Sequence, residues 1–163
     1  MDGKITIRST TADDVPVILQ FIRELALYER LEHEVVATEE VLRRELFGRR
    51  AHAEVIFACL ANVPVGFALF FHNFSTFLGL PGIYLEDLFV QAHVRGRGIG
   101  RSLLSWLAAA AVERGCGRLE WAVLDWNEPS IRFYRNLGAV RMEDWRTFRL
   151  TGAALTGLAR KSG

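Results

Sequence analysis

Residues 95–100 (Arg-Gly-Arg-Gly-Ile-Gly) have the composition of an anion-binding loop. Glycines let backbone N–H groups approach a ligand without interference from a Cβ atom, and a helix that begins at such a loop directs its positive dipole end there. An apolar, strand-like run precedes the loop, and a helical pattern from Arg101 to Glu113 follows it. The arrangement predicts a pyrophosphate site flanked by Arg95, Arg97 and Arg101.

The two commonest phosphate-loop templates do not fit this run. A Walker A loop requires Gly, four residues and then Gly-Lys-Ser/Thr, whereas Arg95 stands at its first position and Arg101 at its lysine. The dinucleotide fingerprint Gly-x-Gly-x-x-Gly ends on Arg101 when counted from Gly96, and on Leu103 when counted from Gly98. The pattern that fits is Arg-x-x-Gly-x-Gly between a strand and a helix. A surface loop without a ligand remains the alternative.

A second motif lies at residues 124–139 (Leu-Asp-Trp-Asn-Glu-Pro-Ser-Ile-Arg-Phe-Tyr-Arg-Asn-Leu-Gly-Ala). Together the two motifs resemble the Gcn5-related N-acetyltransferase (GNAT) superfamily. Residues 84–90 and 126–130 are similar to its diamine (spermidine/spermine) and thialysine acetyltransferase branch, and the resemblance covers nearly the whole chain. It implies an enzyme that moves an acetyl group from acetyl-CoA to the primary amine of a small molecule by direct attack.

Two adjacent carboxylates, Glu86 and Asp87, interrupt the apolar strand before the loop. An amine attacks a thioester only as the free base, and because the pKa of a primary amine is roughly 10.4, a base must remove its proton. Strand alternation predicts Glu86, Leu88 and Val90 on one face and Asp87 and Phe89 on the other. The resemblance makes Glu86 the base and Asp87 an anion that holds the cationic amine. The alternative is that either carboxylate only pairs with an arginine.

The leaving group of such a transfer is a thiolate, which a phenol with an ordinary pKa of about 10 can protonate. The resemblance assigns this role to Tyr134. The alternative is a buried aromatic ring whose hydroxyl group has another partner.

The remaining contacts also follow from the resemblance. If a bulge parts strand 83–90 from strand 118–124, the pantetheine arm can pair with the exposed edge as an added strand, and a backbone N–H there can stabilise the carbonyl oxygen. The residues predicted to bind acetyl-CoA are Leu88, Phe89, Val90, Arg95, Gly96, Arg97, Gly98, Ile99, Gly100, Arg101, Asn127, Glu128, Pro129 and Ser130. Those predicted to bind the acceptor are Glu86, Asp87 and Ser75.

The chemical class of the acceptor stays open between a diamine or polyamine and thialysine or a lysine-like molecule. Polyamine members of the family tend to carry an acidic residue where this chain has Ser75 and Thr76. Glu29 and residues 32–34 could add negative charge at the acceptor entrance, although a run of charges is usually a solvated face.

Composition narrows the class of protein. The chain has 163 residues, half of them hydrophobic, which suits one domain over residues 1–163. A formal net charge of +1 predicts no nucleic-acid or membrane partner, and four histidines without ligand spacing predict no metal site. Two distant cysteines and the lack of an apolar leader or membrane-length run predict a cytoplasmic protein. The resemblance further suggests a homodimer.

Three other functions remain as alternatives. They are a non-catalytic regulatory domain that binds acyl-CoA, a protein or peptide N-acetyltransferase, and an RNA-binding module that uses the Arg/Gly loop.

The periodicities predict the elements that position these residues. We expect an α/β (α+β) GNAT fold with a mixed, mostly antiparallel sheet of six to seven strands and helices on both faces. A central parallel βαβ unit contains strand 83–90, the long helix and strand 118–124. Residues 72–82 are expected to be irregular, and residues 140–142 and 146–150 to complete the sheet.

Overall fold

The computed structural model describes residues 3–161 of the chain. These residues fall into two compact units, which divide after Leu124. The prediction of a single domain over residues 1–163 stays a prediction, and its first two and last two residues lie outside the described part.

The first unit contains a five-stranded sheet. Its strands are β1 (Ile5–Ser9), β2 (Glu54–Leu60), β3 (Val63–Ser75), β4 (Leu80–Val90) and β5 (Leu119–Trp121). Its α-helices are α1 (Val15–Glu29), α2 (Glu39–Phe47) and α3 (Ile99–Glu113). The strands lie in the order β1-β2-β3-β4-β5; the first four are antiparallel, and β5 joins β4 in parallel. The predicted fold class, with a mixed and mostly antiparallel sheet and a parallel β4–α3–β5 unit, is confirmed.

Helices cover both faces of this sheet. On one face, the ring of Phe21 in α1 stacks on Phe67 at 5.6 Å and meets Phe57 edge-on at 5.5 Å. On the other face, α3 packs across the strands, and the ring centroids of Phe70 and Trp106 are 6.0 Å apart. Each fully buried aromatic side chain contributes about 1.5–3 kcal/mol by removing apolar surface from water. The two apolar layers therefore fix the sheet between the helices.

Strands β3 and β4 form a longer hairpin than the sequence predicts. Residues 72–82 were expected to be irregular, but both strands continue until Ser75 pairs with Leu80. The turn closes because Gly79 adopts φ +67° and donates its N–H to Ser75 O at 2.8 Å. The expectation was wrong because the polar and aromatic residues of this segment alternate across two strands that support each other by hydrogen bonds.

The second unit contains α4 (Glu128–Asn136) and α5 (Gly152–Arg160). Asn127 caps α4, since its Oδ1 atom accepts a hydrogen bond from Ser130 N at 3.4 Å. The helix ends at Asn136; Gly138 follows with φ +89°, and Ala139 N donates to Tyr134 O at 3.2 Å. In the second motif, Asn127 is thus the signal that begins α4, and the Leu-Gly-Ala at the end of the motif is the signal that ends it.

The strand count differs from the expected six or seven. Within residues 125–161 no strand forms, although residues 140–142 and 146–150 were expected to be strands. Strand β5 covers only Leu119–Trp121 rather than residues 118–124. The apolar side chains of the late segment remain outside, with Val140 83% and Phe148 95% exposed. Alternating hydrophobicity alone does not make a strand, because a strand also needs a partner for its backbone groups.

Candidate active site

A β-bulge in β4 lies at the centre of the candidate site. Leu69 in β3 pairs with Asp87, whereas the next residue, Phe70, pairs with Leu85. Glu86 is therefore an extra residue in β4, opposite the step from Leu69 to Phe70. A bulge of this kind bends the strand, re-aims side chains and is often found next to active sites.

The bulge changes which side chains share a face of the sheet. Consecutive residues of β3 point to opposite faces, and residues paired across two strands share a face. Because Asp87 pairs with Leu69 and Leu85 with Phe70, Asp87 and Leu85 point to opposite faces although they are two residues apart. Tyr84 pairs with Phe71, and so shares the face of Asp87. The predicted alternation holds for residues 87–90, which pair with four consecutive residues of β3, whereas Glu86 has no partner in the ladder.

Three carboxylates, Glu29, Glu86 and Asp87, lie in this part of the site, and the charges of the first two act on the third. Burial, and after it the negative charges of Glu86 and Glu29, together raise the pKa of Asp87 to about 6. Burial also raises the pKa of Glu29, which is the last residue of α1. Burial and the charge of Glu86 likewise raise the pKa of Tyr84. The cluster is a partly desolvated anionic region that a bound cation would stabilise.

The same stretch of β4 has an open edge. Pairing between β4 and β5 runs from Ile83 to Leu85, and within residues 3–161 no strand continues it along residues 86–90. Gln91 N donates to Val65 O at 2.9 Å. Since hydrogen-bonded and non-hydrogen-bonded pairs alternate along antiparallel strands, this bond fixes which residues of β4 bond to β3. Phe89 therefore directs its backbone groups to β3, whereas Leu88 and Val90 direct theirs to the open edge. The bulge and the parting of β4 from β5 thus occur together, and the pairing of a pantetheine arm with this edge stays a prediction.

The glycine-rich loop connects this edge to α3. Gly96 and Gly98 adopt φ +77° and +81°, a left-handed conformation that suits glycine, and no atom within 4 Å would contact a Cβ at either position. Gly98 is the N-cap of α3, so the first N–H groups of this 15-residue helix face the loop. Arg97 and Arg101 are exposed beside it, and the Ile99 side chain is buried in the core. The loop has the open backbone that a diphosphate group requires.

Ser75 lies at the far end of the β3–β4 hairpin. Its hydroxyl oxygen accepts a hydrogen bond from Leu78 N at 3.2 Å, and the residue is buried. Glu86 lies six residues further along β4 than Leu80, the strand partner of Ser75. The hydroxyl group therefore stabilises the turn, and a contact between Ser75 and the acceptor stays a prediction.

The other predicted site residues belong to the second unit. Asn127 is buried at the N-terminus of α4, and Glu128, Pro129 and Ser130 form its first turn. Tyr134 follows in the same helix, with its ring centroid 5.4 Å from that of Phe133. The structure thus brings the predicted residues together in two sets, one around β4 and the loop before α3, and one on α4.

Two further observations concern sites that the sequence did not predict. Within the described range 3–161, no group of three or more His, Cys, Asp or Glu side chains is arranged to hold a metal ion. None of the helices in that range combines the length and the apolar character that crossing a membrane requires.

The sequence pattern favours a solvated charged face for Glu29 and residues 32–34. The electrostatic effect of Glu29 on Asp87 assigns it instead to the carboxylate cluster. The feature of the sequence that could have indicated this role is the position of Glu29 at the end of α1, a helix that packs on the sheet containing β4. The sequence does not predict that Asp87, in a distant strand, comes within reach of the charge of Glu29.

Comparisons with known proteins identify the family. The family model described as "Acetyltransferase (GNAT) family" matches residues 19–139. A thialysine N-epsilon-acetyltransferase of Bos taurus is 38% identical over 168 residues, covering 96% of this chain and 98% of the bovine protein. An L-ornithine N5-acetyltransferase of Arabidopsis thaliana is 34% identical, covering 93% of this chain and 86% of the plant protein.

Solved structures give the same result for the fold. An integron cassette protein from the mobile metagenome of V. cholerae superposes with a TM-score of 0.81 at 27% identity, covering 96% of this chain and 98% of that chain. An aminoglycoside acetyltransferase from an uncultured soil metagenomic sample superposes with a TM-score of 0.76 at 22% identity, covering 90% and 95%. The second likeness concerns the fold alone.

Proposed function

The chain belongs to the acetyltransferase (GNAT) family, and on this premise we propose that it acetylates the primary amine of a small cationic molecule. Enzymes of this family use acetyl-CoA as co-substrate, and when bound it supplies the thioester from which the acetyl group is taken. The observation that carries the proposal is the bulge at Glu86. It coincides with the open edge of β4 and with the carboxylate cluster.

The open edge and the loop suit the two halves of coenzyme A. An extended arm with amide groups can pair with the backbone groups of Leu88 and Val90, as a strand added to a sheet does. The backbone of Gly96 to Gly100 and the N-terminus of α3 can hold a diphosphate, with Arg97 and Arg101 supplying positive charge. In our proposal the same co-substrate is also contacted by residues of the second unit, namely Asn127, Glu128, Pro129 and Ser130. Phe89 contributes packing. Arg95 supports the site by positioning its neighbours, as argued below.

In the proposed reaction Glu86 accepts the proton that the attacking ammonium group must lose, either directly or through water. A carbon–nitrogen bond then forms at the acetyl carbonyl while the carbon–sulfur bond breaks. A backbone N–H at Leu88 or Val90 donates to the carbonyl oxygen as negative charge develops on it. Tyr134 gives its phenolic proton to the departing thiolate. The second proton, which the nitrogen loses as the amide forms, restores the phenol of Tyr134, and the proton on Glu86 leaves to water.

The carboxylate cluster supports a cationic acceptor. The negative charges of Glu86 and Glu29 act on Asp87, and an ammonium group placed there would relieve this repulsion. The names of the relatives refer to thialysine and to L-ornithine, both of which carry a side-chain amine. We propose an acceptor of this kind, a lysine-like amino acid or a diamine, held by Asp87 with Glu29 contributing charge. We further propose that the protein works in the cytoplasm as a homodimer whose subunit is a single domain.

The test is release of free thiol from acetyl-CoA across a panel of amines. The panel contains thialysine, lysine, ornithine, putrescine, spermidine and a peptide with a free N-terminus. We expect turnover on one or two of the small amines and none on the peptide. Activity only on the peptide would contradict the small-molecule assignment.

Two variants separate an enzyme from a regulatory domain that only binds acyl-CoA. Tyr134→Phe should bind CoA with unchanged affinity but lose at least about tenfold in kcat. Ser105→Ala, which also removes one hydroxyl group, but from the exposed side of α3, should keep wild-type kcat. CoA binding by the wild-type protein without turnover on any amine would favour the regulatory domain.

The role of Glu86 has its own test. Glu86→Gln should lose the pH dependence that a general base imposes on kcat/KM, because an amide cannot accept the proton. A pH–rate profile identical to that of the wild-type protein would contradict the assignment of Glu86 as the base.

A further inference from the structure

The side chain of Arg95 is held by three groups of the first unit. Its guanidinium carbon lies 4.7 Å from the ring centroid of Tyr28 and 5.7 Å from that of Phe89. Its Nε atom donates to Val90 O at 2.9 Å. Arg95 therefore joins the last turn of α1, the end of β4 and the first residue of the glycine-rich loop.

The carbonyl group that Arg95 contacts belongs to the open edge of β4. Val90 directs its backbone groups away from β3, and the pairing of β4 with β5 ends at Leu85. By occupying Val90 O, the guanidinium satisfies an acceptor at the end of the edge and fixes the direction of the peptide there. A charged donor to a carbonyl oxygen makes one of the stronger hydrogen bonds found in proteins.

A second contact joins the same two elements. Gln91 Nε2 donates to Glu24 Oε2 at 3.2 Å, and Gln20 Nε2 donates to Glu24 Oε1 at 2.7 Å. Glu24 and Tyr28 are four residues apart in α1, so they lie on one side of the helix. This side of α1 is thus attached to the end of β4 at two successive turns, directly before Glu29.

We propose that Arg95 is a positioning residue, whose side chain fixes the end of β4 and the last turn of α1, and not a ligand of the diphosphate. The inference rests on the proposed function, since it assigns the consequence to both substrates of that reaction. The pantetheine arm depends on Arg95 through the backbone at Val90. The amine depends on it through α1, which ends at Glu29 in the carboxylate cluster.

The contacts of Arg95 need the shape of a guanidinium group and not only its charge. A planar guanidinium can stack on Tyr28 and at the same time donate in its plane to Val90 O, whereas an ammonium group is a point charge on a flexible stem. Lysine should therefore not replace Arg95. A direct ligand of a diphosphate, in contrast, keeps most of its effect as lysine, because lysine binds phosphate as a charge.

The experiment compares two cofactors and one amine by calorimetry and steady-state kinetics, in Arg95→Lys, Arg95→Gln and the wild-type protein. ADP carries the diphosphate without the pantetheine arm, and CoA carries both. We expect ADP affinity within about threefold of wild type in both variants, and CoA affinity about tenfold weaker in both, a difference of about 1.4 kcal/mol. The KM for the amine should also rise in both variants by a larger factor than kcat falls.

Three further substitutions provide the comparison. Arg101→Gln, in the first turn of α3, should weaken ADP and CoA by the same factor, as expected of a residue that faces the diphosphate. Arg23→Gln removes an exposed charge from α1 and should leave all constants unchanged. Tyr28→Leu removes the aromatic face and should reproduce the Arg95→Gln pattern, with little additional effect when the two are combined.

Equal loss of ADP and CoA in Arg95→Gln, with recovery of both in Arg95→Lys, would show a direct diphosphate ligand and overturn the proposal. Behaviour like that of Arg23→Gln would overturn it as well. If Arg95→Gln does not fold, as judged by thermal unfolding, Arg95→Lys and Tyr28→Leu carry the comparison. Failure of the wild-type protein to bind CoA or acetylate an amine would instead refute the proposed function, so the two failures are distinguishable.

Discussion

Replacing Asp87 with Asn should make the free protein more stable at neutral pH and less able to hold a cationic acceptor. The pKa of the Asp87 carboxyl is raised to about 6, first because the group is buried and then because Glu86 and Glu29 are negatively charged. The folded state therefore disfavours the charge that Asp87 carries at pH 7.5. An asparagine has nearly the same shape and carries no charge to desolvate.

The size of the effect follows from the linkage between protonation and folding. A folded-state pKa of about 6 against an ordinary value of 3.8 corresponds to about 3 kcal/mol, at 1.36 kcal/mol per tenfold change. Because the folded-state value is the higher one, the cost is absent below pH 3.8. It grows as the pH rises towards 6 and is constant above that. Asn retains polar atoms that need partners, so we expect a gain of about 1–3 kcal/mol at pH 7.5 and none at pH 4.

The assay is urea denaturation of the wild-type protein and Asp87→Asn at pH 4.0 and pH 7.5, with equal m-values as a condition for comparison. Asp144→Asn is the matched control, because Asp144 is exposed and its substitution removes the same charge. It should change stability by less than about 0.5 kcal/mol at either pH. A loss of stability in Asp87→Asn that is equal at both pH values would refute the reasoning, since it would show that the carboxylate is not strained by its surroundings.

Three further predictions can be checked with the same protein. At low pH the wild-type kcat/KM for the amine should fall as Asp87 takes up a proton near pH 6, and a profile without this acid limb would contradict its role in binding the cation. Asp14→Asn should cost about 0.5–1 kcal/mol at pH 7, because Arg8 donates to both carboxylate oxygens at 2.8 and 2.9 Å and holds the pKa of Asp14 below its ordinary value in a pair that solvent partly screens. This stabilisation should disappear as the pH falls through the lowered pKa, and a difference that persists at pH 2 in urea denaturation would count against the ion pair. Gly98→Ala should lower the free energy of unfolding by about 1 kcal/mol, because φ at this position is +81°, and it should bind ADP more weakly. Gly157→Ala, in the interior of α5, should instead raise the free energy of unfolding by about 0.5–1 kcal/mol. Equal effects of the two substitutions in thermal unfolding would contradict the argument.

Much of the local structure could be predicted from the sequence because the signals are short-range. The apolar spacing of α1 and α3, the Gly98 entrance to α3 and the Asn127 cap of α4 each depend on residues within one or two helical turns. The family followed from two motifs whose residues are contiguous. For the same reason the parallel β4–α3–β5 unit was predictable, since its order along the chain leaves few alternatives.

The positions of the site residues depended on pairing between distant segments. Whether Asp87 shares a face with Tyr84 is decided by the register of β4 against β3, and one extra residue, Glu86, reverses the answer. Residues 146–150 alternate as a strand does, yet they form none, because a ladder needs a partner that a local pattern cannot supply. The structural role of Arg95 likewise arose only when α1 and β4 came together.

The sequence by itself determined the family, the helices and the loop that can hold a phosphate, because these properties reside in neighbouring residues. Only the tertiary structure decided that three carboxylates from α1 and β4 share one partly desolvated region, and that β4 has an open edge beside it. The physical reason is that burial and electrostatic interaction depend on distance in space, and a linear pattern fixes that distance only within a single element.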